Sequence, residues 1–381
     1  MRRRPAALLF TMVPALLVPL ALLNGCASHG PVGSPELVGT LRSRGLDPAN
    51  IVIPFEITDE MRAWAHAQVP DTTPSVERLD RLLAVMVDPS RLKLEYEPGH
   101  TATAREAFET RKANCLAFTS LFVGLARELG VPAFFLAVDD VERFEKDGDL
   151  MVVSGHVSGG YNVSGNQVKI LDFTPRPQPG YRRVHSLSDV TAIALYYSNR
   201  GAEMIRVGRG DEALSWLRKA VAIDPELGGA WVNLGVGLRR AGDLPGAEAA
   251  YRKALEVDPE AASAYTNLAG LLRARGSDTE AEELLGLAAR ADGRNPFSYI
   301  ALGDLSLAHG RLAEARRFYQ KALRLNRDDA EAYAALGLVA LAGGDRGEAR
   351  RWLRKAEARG RENERVRQLG GRLDPPRSEG R

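Results

Sequence analysis

Cys115, in the stretch TRKANCLAFTSL, is one of two cysteines among 381 residues. Its neighbours place it where a thiol can do nucleophilic chemistry. Asn114 is a helix N-cap by type, because its side-chain oxygen can accept an orphan backbone N–H. The run CLAFTSLFVGLAREL then reads as a helix that stops at Gly130, with Pro132 beyond it. Its first twelve residues carry no charge, which predicts a helix buried on nearly all sides. A thiol in its first turn meets the positive end of the helix dipole, which favours the thiolate.

A thiolate nucleophile needs a base within hydrogen-bond reach and a third group to orient that base. The chain offers His29, His66, His100, His156, His185 and His309. His156 lies in SGHVSGGYNV, which has a strand pattern, and Asp172 lies in KILDFTP, the next strand-like run. The SGN turn at 164–166 predicts that the two strands are antiparallel neighbours. A turn centred on Ser164 sets His156 opposite Asp172, each eight residues away. Opposed residues share a face with side chains about 5 Å apart. His156 can then take the Cys115 proton while Asp172 fixes its tautomer. Each residue also has a plainer reading: a small buried hydrophobe, a hydrogen-bonded strand histidine, and an aspartate that starts a turn. Tyr96 and Asn114 are further candidates for the pocket.

The elements that must position these residues lie within 51–190. TDEMRAWAHAQV, SVERLDRLLAVMV and TAREAFETR have helical spacing and start signals. RLKLEYE, PAFFLAV, LMVVSGHVSGGYNV and QVKILDF read as strands. The pattern is α+β.

Around this part the chain changes character twice. Arg2, Arg3 and Arg4 precede the apolar run PAALLFTMVPALLVPLALL, and Leu23-Asn24-Gly25-Cys26 follows. That order of charge and hydrophobicity predicts a secretory signal over 1–25. Its end resembles a bacterial lipobox. The resemblance implies cleavage before Cys26, lipid on Cys26 and a membrane anchor, and Ala27 after the cysteine implies the outer membrane. An uncleaved transmembrane anchor is the alternative. Residues 26–50, rich in Gly, Pro and Ser, read as a linker. With Cys26 lipidated, Cys115 has no disulfide partner, so in an oxidising envelope it is either inert or kept for reactivity.

From about 194 the sequence becomes helical with a fixed period. Trp231, Tyr265, Tyr299 and Tyr333 are spaced by 34, as are Gly208, Gly242, Gly276, Gly310 and Gly344. So are Ala213, Ala247, Ala281, Ala315 and Ala349, and Ala220, Ala254, Ala288, Ala322 and Ala356. A 34-residue period is that of the tetratricopeptide repeat, and the chain closely resembles that family. Five units are expected, at 194–227, 228–261, 262–295, 296–329 and 330–363, with a capping turn and polar tail over 364–381. The first is the most degenerate, with Arg200 where leucine is usual. Neighbouring units stack into a superhelix because none can bury its face alone. Trp216 and Trp352 read as packing residues. The resemblance implies a concave groove for a protein or peptide ligand. Its lining would include Val232, Val236, Arg239, Arg273, Phe297, Ile300, Leu307, Leu338 and Leu341, an apolar set with two arginines.

Cysteine at a helix start, then histidine and aspartate on successive strands, resembles the transglutaminase-like superfamily over roughly 75–180. TAREAFETRKANCLAFTSLFVGLARELGVPA and LDFTP carry the resemblance. It implies Cys115, His156 and Asp172 as a catalytic triad. Ala113 stands where the family usually has glycine, Leu116 where animal members have tryptophan, and Val157 where an aromatic is frequent. The implied fold is a helix carrying the cysteine packed on an antiparallel sheet, followed by an all-α tetratricopeptide superhelix.

Other chemistry is disfavoured. A papain-type CGSCW run, a Cys-x-x-Cys pair, a phosphate loop and a dinucleotide fingerprint are all missing from the sequence. No metal or cofactor is expected. Lys and Arg number 51 against 49 Asp and Glu, a net charge of +2, which argues against nucleic acid as partner. Two functions remain open. One is an envelope lipoprotein with a thiol acyl-transfer domain, peptidase-like or transglutaminase-like, and a protein-binding repeat region. The other is a non-catalytic scaffold acting through the repeats.

Overall fold

The computed structural model describes residues 16–19, 34–138, 143–147, 150–154, 157–163, 167–171 and 184–374. It forms two compact units. One comprises Met1–Asp147 with Val152–Gly242, the other Gly148–Met151 with Asp243–Arg381.

In the first unit a short strand β1 (Leu16–Pro19) is followed by helix α1 (Pro35–Ser43) and a 3-10 turn at Pro48–Asn50. Composition predicts a linker over 26–50, yet the part from Pro35 on is folded. Leu37 and Leu41, one helical turn apart, are both buried, and Ser34 caps the helix. Helices α2 (Asp59–Gln68) and α3 (Ser75–Val87) follow. The alternation of RLKLEYE predicts a strand over 91–97, but only β2 (Glu95–Tyr96) forms. Lys93 takes a left-handed φ of 52°, which interrupts an extended run. Helix α4 (Ala104–Thr110) opens with a Thr103–Glu106 capping box and ends at Arg111, whose φ is 63°. Strand β3 (Lys112–Ala113) then leads directly into α5 (Cys115–Glu128).

Every residue of α5 from Leu116 to Ala126 is buried. The helix packs against α2, α3 and α4, and against β4 (Ala133–Val138). Strand β5 (Arg143–Asp147) pairs with β6 (Leu150–Ser154). The run expected to be one strand at LMVVSGHVSGGYNV thus carries two, β6 and β7 (Val157–Val163). With β8 (Gln167–Leu171) and β9 (Val184–Leu187), the main sheet has the order β1-β8-β7-β4-β9 and is antiparallel throughout. Helix α5 also contacts β7. Gly160 on β7 is needed for close packing, because a Cβ there would lie 2.6 Å from Leu136 Cδ1.

The 34-residue pattern becomes a succession of helix pairs along the chain: α6 (Asp189–Arg206) then α7 (Gly210–Ile223), α8 (Gly228–Arg240) then α9 (Leu244–Val257), and α10 (Ala262–Ala274) then α11 (Asp278–Ala291). Next come α12 (Pro296–Ala308) and α13 (Leu312–Leu325), and α14 (Ala330–Ala342) and α15 (Arg346–Gly360). The glycines at 208, 242, 276, 310 and 344 all take positive φ, from 71° to 84°, just past a helix end. The ten periodic alanines are all fully buried, at 0% exposure, so the packed faces of these helices carry minimal side chains. The change of pattern near 190 does not mark a change of packing. Helices α6, α7 and α8 belong to the first unit, where α6 contacts α1 and β4.

In the second unit, α16 (Glu364–Leu373) closes the stack with Val366, Leu369 and Leu373 buried. Arg365 makes a two-pronged pair with Asp304 at 2.7 Å on each prong, and the Tyr319 hydroxyl donates to the same carboxylate at 2.6 Å.

Candidate active site

Cys115 is the first residue of α5 and is half-buried. Asn114 caps the helix: its Oδ1 accepts the Ala117 N–H at 2.9 Å. Its Nδ2 donates to Thr101 Oγ1 at 2.8 Å, so the cap is itself held. Thr101 is buried, and its N–H donates to Glu203 Oε1 at 2.6 Å. Arg200 Nη1 donates to the other carboxylate oxygen of Glu203 at 2.8 Å and lies 3.0 Å from His100 Nδ1. Helix α5 is thus anchored at its N-terminus to α6.

Its C-terminus is anchored to the same helix. Arg127 pairs with Asp189 through two bonds of 2.8 Å, and its Nε donates to the Ala133 carbonyl at 2.9 Å. The Arg127 and Asp189 side chains are 7% and 12% exposed, so this is a desolvated pair.

Ala113, in place of the family's glycine, is buried and paired with Tyr96 in the parallel β2–β3 ladder. The left-handed residue in this approach is Arg111, so position 113 has no need of glycine's freedom. Tyr96 is therefore paired with a residue two positions before Cys115. Thr119, one turn along α5 from Cys115, donates to the Val157 carbonyl at 3.4 Å. This sets the start of β7 beside α5.

His156 and Asp172, like Cys26, lie outside the described residues. The β7–β8 ladder runs from Gly159↔Leu171 to Val163↔Gln167, a register two residues away from one that would pair 156 with 172. Val163 stays in the strand, as a β-branched residue favours. The facing of His156 and Asp172 expected from a turn at Ser164 does not follow from this register. Of the other histidines, His66 contacts Glu128 and Asp71, His309 contacts Asp278, and His185 sits on β9 opposite Ala137. Among the described residues, no three His, Cys, Asp or Glu side chains are placed to hold a metal ion. None of the described helices is long and apolar enough to cross a membrane.

The residues expected to line a groove differ in exposure. Val232, Val236, Ile300 and Leu338 are buried, and the last two belong to packed clusters of the helical stack. Arg239, Phe297, Leu307 and Leu341 are half-buried, and Arg273 is exposed. Sequence reasoning missed Asn267. This buried residue accepts the Met151 N–H at 2.8 Å and donates to the Met151 carbonyl at 2.8 Å, both within the second unit. One side-chain amide thereby satisfies both backbone groups of an extended residue, as a neighbouring strand would. The signal was present in the period: Asn233 lies 34 residues earlier, and it donates to Ser198 Oγ at 3.0 Å.

The structure thus combines an α+β domain, with a capped, buried helix that begins at a cysteine, and an all-helical repeat stack. Residues 62–155 match the model of the transglutaminase-like superfamily, and residues 232–296 and 306–373 match two tetratricopeptide repeat models. The chain carries a transglutaminase-like domain followed by tetratricopeptide repeats. The first match includes Cys115 and ends one residue before His156. Among solved structures, one reported with the functional characterisation of Pseudomonas aeruginosa pilF is similar at 28% identity. It covers 47% of this chain and 82% of that one, with a TM-score of 0.43. TTC0263, a thermophilic repeat protein of Thermus thermophilus, is 20% identical over 47% of this chain and 98% of that one, at 0.42. YrrB, described as a repeat protein with an unusual peptide-binding site, is 19% identical over 46% of this chain and 91% of that one, at 0.36. No curated protein matches the chain.

Proposed function

We propose that this is a lipid-anchored protein of the cell envelope, tethered through Cys26 once 1–25 are removed together with edge strand β1, which pairs with β8 in the full sequence, and that its Cys115 performs acyl transfer on a peptide or protein held by the repeats. Cys115 Sγ attacks a carbonyl carbon of an amide, forming a C–S bond. His156 takes the thiol proton and passes it to the departing amine as the C–N bond breaks. Water then attacks the thioester with His156 as base, releasing the acid and restoring the thiol. An amine in place of water gives cross-linking. The Cys115 N–H at the helix start is one donor for the oxyanion, and Asp172 orients His156.

The observation that carries this reading is the held start of a buried, capped helix whose first residue is the cysteine. A cysteine that merely filled space would not need its helix start held by Asn114, Thr101 and Glu203 in series. The contact of Thr119 with Val157 supports His156, the residue before Val157, as the base. The amide of Asn267, which already holds an extended residue, supports a repeat region that takes peptide in strand form.

A peptidyl electrophile tests the proposal. Wild-type protein is expected to form a one-to-one adduct at Cys115, read by mass, and Cys115→Ala none. His156→Ala is expected to form it at least tenfold more slowly, toward the loss of a general base, roughly 10²–10⁴. A folded protein whose Cys115 stays unmodified would favour the scaffold reading, with the work done by the repeats alone.

A further inference from the structure

We propose that Glu203, on the first repeat helix, is a positioning residue for the Cys115 thiol, and that the first repeat is therefore part of the active-site machinery. The inference starts from a break in the repeat. One period after Glu203 comes Gly237, and then Leu271, Leu305 and Val339, the last three buried. One period after Arg200 comes Leu234, and then Leu268, Leu302 and Leu336, all buried. At these two places the first unit replaces core residues with a charged pair. Glu203 is only 5% exposed. A buried carboxylate is costly and persists only where its partners compensate it.

Its partners point one way. One oxygen takes the Thr101 N–H at 2.6 Å, and the other takes Arg200 Nη1 at 2.8 Å. Arg200 also stacks over Trp216, 5.6 Å from the ring centre, which keeps its guanidinium aligned. With its backbone fixed, Thr101 presents Oγ1 to Asn114 Nδ2 at 2.8 Å. With Nδ2 held, Asn114 must offer Oδ1 to the Ala117 N–H at 2.9 Å. The amide cannot rotate without breaking both bonds, so the start of α5 is locked with Cys115 as its first residue. The helix N–H groups that favour a thiolate are useful only while that geometry holds.

Glu203 is also a negative charge, and charge and position act on the thiol with opposite signs. A carboxylate acting as a bare charge would disfavour the thiolate, so its loss would speed alkylation at neutral pH. A carboxylate acting through position would favour the thiolate, so its loss would slow it. The ion pair of Arg127 and Asp189, at the other end of the same two helices, supplies the control for a purely structural role.

The relevance of the proposal rests on Cys115 being the nucleophile, but its test does not need turnover. In the full chain, Cys115 would be alkylated with iodoacetamide and followed by the mass of its peptide. Glu203→Ala is expected to slow the reaction about threefold at neutral pH, the size of a helix-terminus effect, and to leave it unchanged at alkaline pH, where the thiol is ionised anyway. Glu203→Gln keeps an acceptor for the Thr101 N–H and should restore most of the rate. Asp189→Asn should leave the rate unchanged. Thr101→Val removes only the oxygen that Asn114 donates to and should slow the reaction as Glu203→Ala does, so the test stands even if Glu203→Ala does not fold. Wild-type or faster rates in Thr101→Val and Glu203→Ala, or equal slowing by Asp189→Asn, would overturn the proposal. Failure of acyl transfer with this pattern intact would count against the proposed reaction only.

Discussion

Helix α5 and the later repeat helices are both rich in alanine and leucine, but they are held in place by different kinds of contact. The bonds that fix α5 and its surroundings reach far along the chain. Thr101 and Glu203 are 102 residues apart, Arg127 and Asp189 are 62, and Val52 N–H reaches the Tyr197 hydroxyl across 145. Many side-chain ties of the repeats span about one period, while Arg365 to Asp304 spans 61 residues and Asn267 to Met151 spans 116. Arg275 to Glu248 is 27 residues, Arg311 to Glu282 is 29, and Arg316 to Glu348 is 32. Long-range ties make a region that forms or fails as a whole, whereas nearest-neighbour ties let damage stay local. The proposed thiol site sits in the first kind of region. A stack that need only offer a surface can be built from the second.

The largest expected effect breaks the long-range side. Arg127→Leu leaves the Asp189 carboxylate buried without its partner and should destabilise the first unit by about 3–5 kcal/mol, with a single loss of structure on urea titration. A shift below about 1 kcal/mol would mean that the pair does not hold α5 to α6. A smaller effect sharpens the other side. Gly276 has φ 83°, where a Cβ is strained, so Gly276→Ala should cost about 1–2 kcal/mol. Hydrogen exchange should then quicken in α10 and α11 and remain as in wild type in α5. Equal quickening in α5 would show that the repeats are not independent of the site.

Much of this was legible in the sequence. The period of 34 located the turn glycines and the small buried residues, because repetition writes the same physical demand five times. The Asn114 cap and the uncharged run after Cys115 located the central helix, because cap and burial are local requirements. The role of α6 was not legible. Arg200 stood out as a misfit in the pattern, but nothing local tells which partner a misfit charge will meet 100 residues away. The register of β7 and β8 also escaped, because Ser164, Gly165 and Asn166 are all turn-formers and only the strand preference of Val163 separates one centre from the next. Exposure along the groove list was not legible for a related reason. Position in the repeat predicts which side of a helix a residue is on, but Ile300 and Leu338 are covered by neighbouring packing. Asn267 was marked by Asn233 one period earlier, but its partner is backbone, so the sequence does not tell what it holds.

The most direct test of the central claim is the pH dependence of Cys115 alkylation in wild-type protein and in His156→Ala. A nucleophile locked at the start of α5 and paired with His156 should show an inflection well below the ~8.5 of an ordinary thiol, moving up toward that value in the variant. An inflection near ~8.5 in wild type, unmoved by His156→Ala, would contradict the account and leave Cys115 a packing residue.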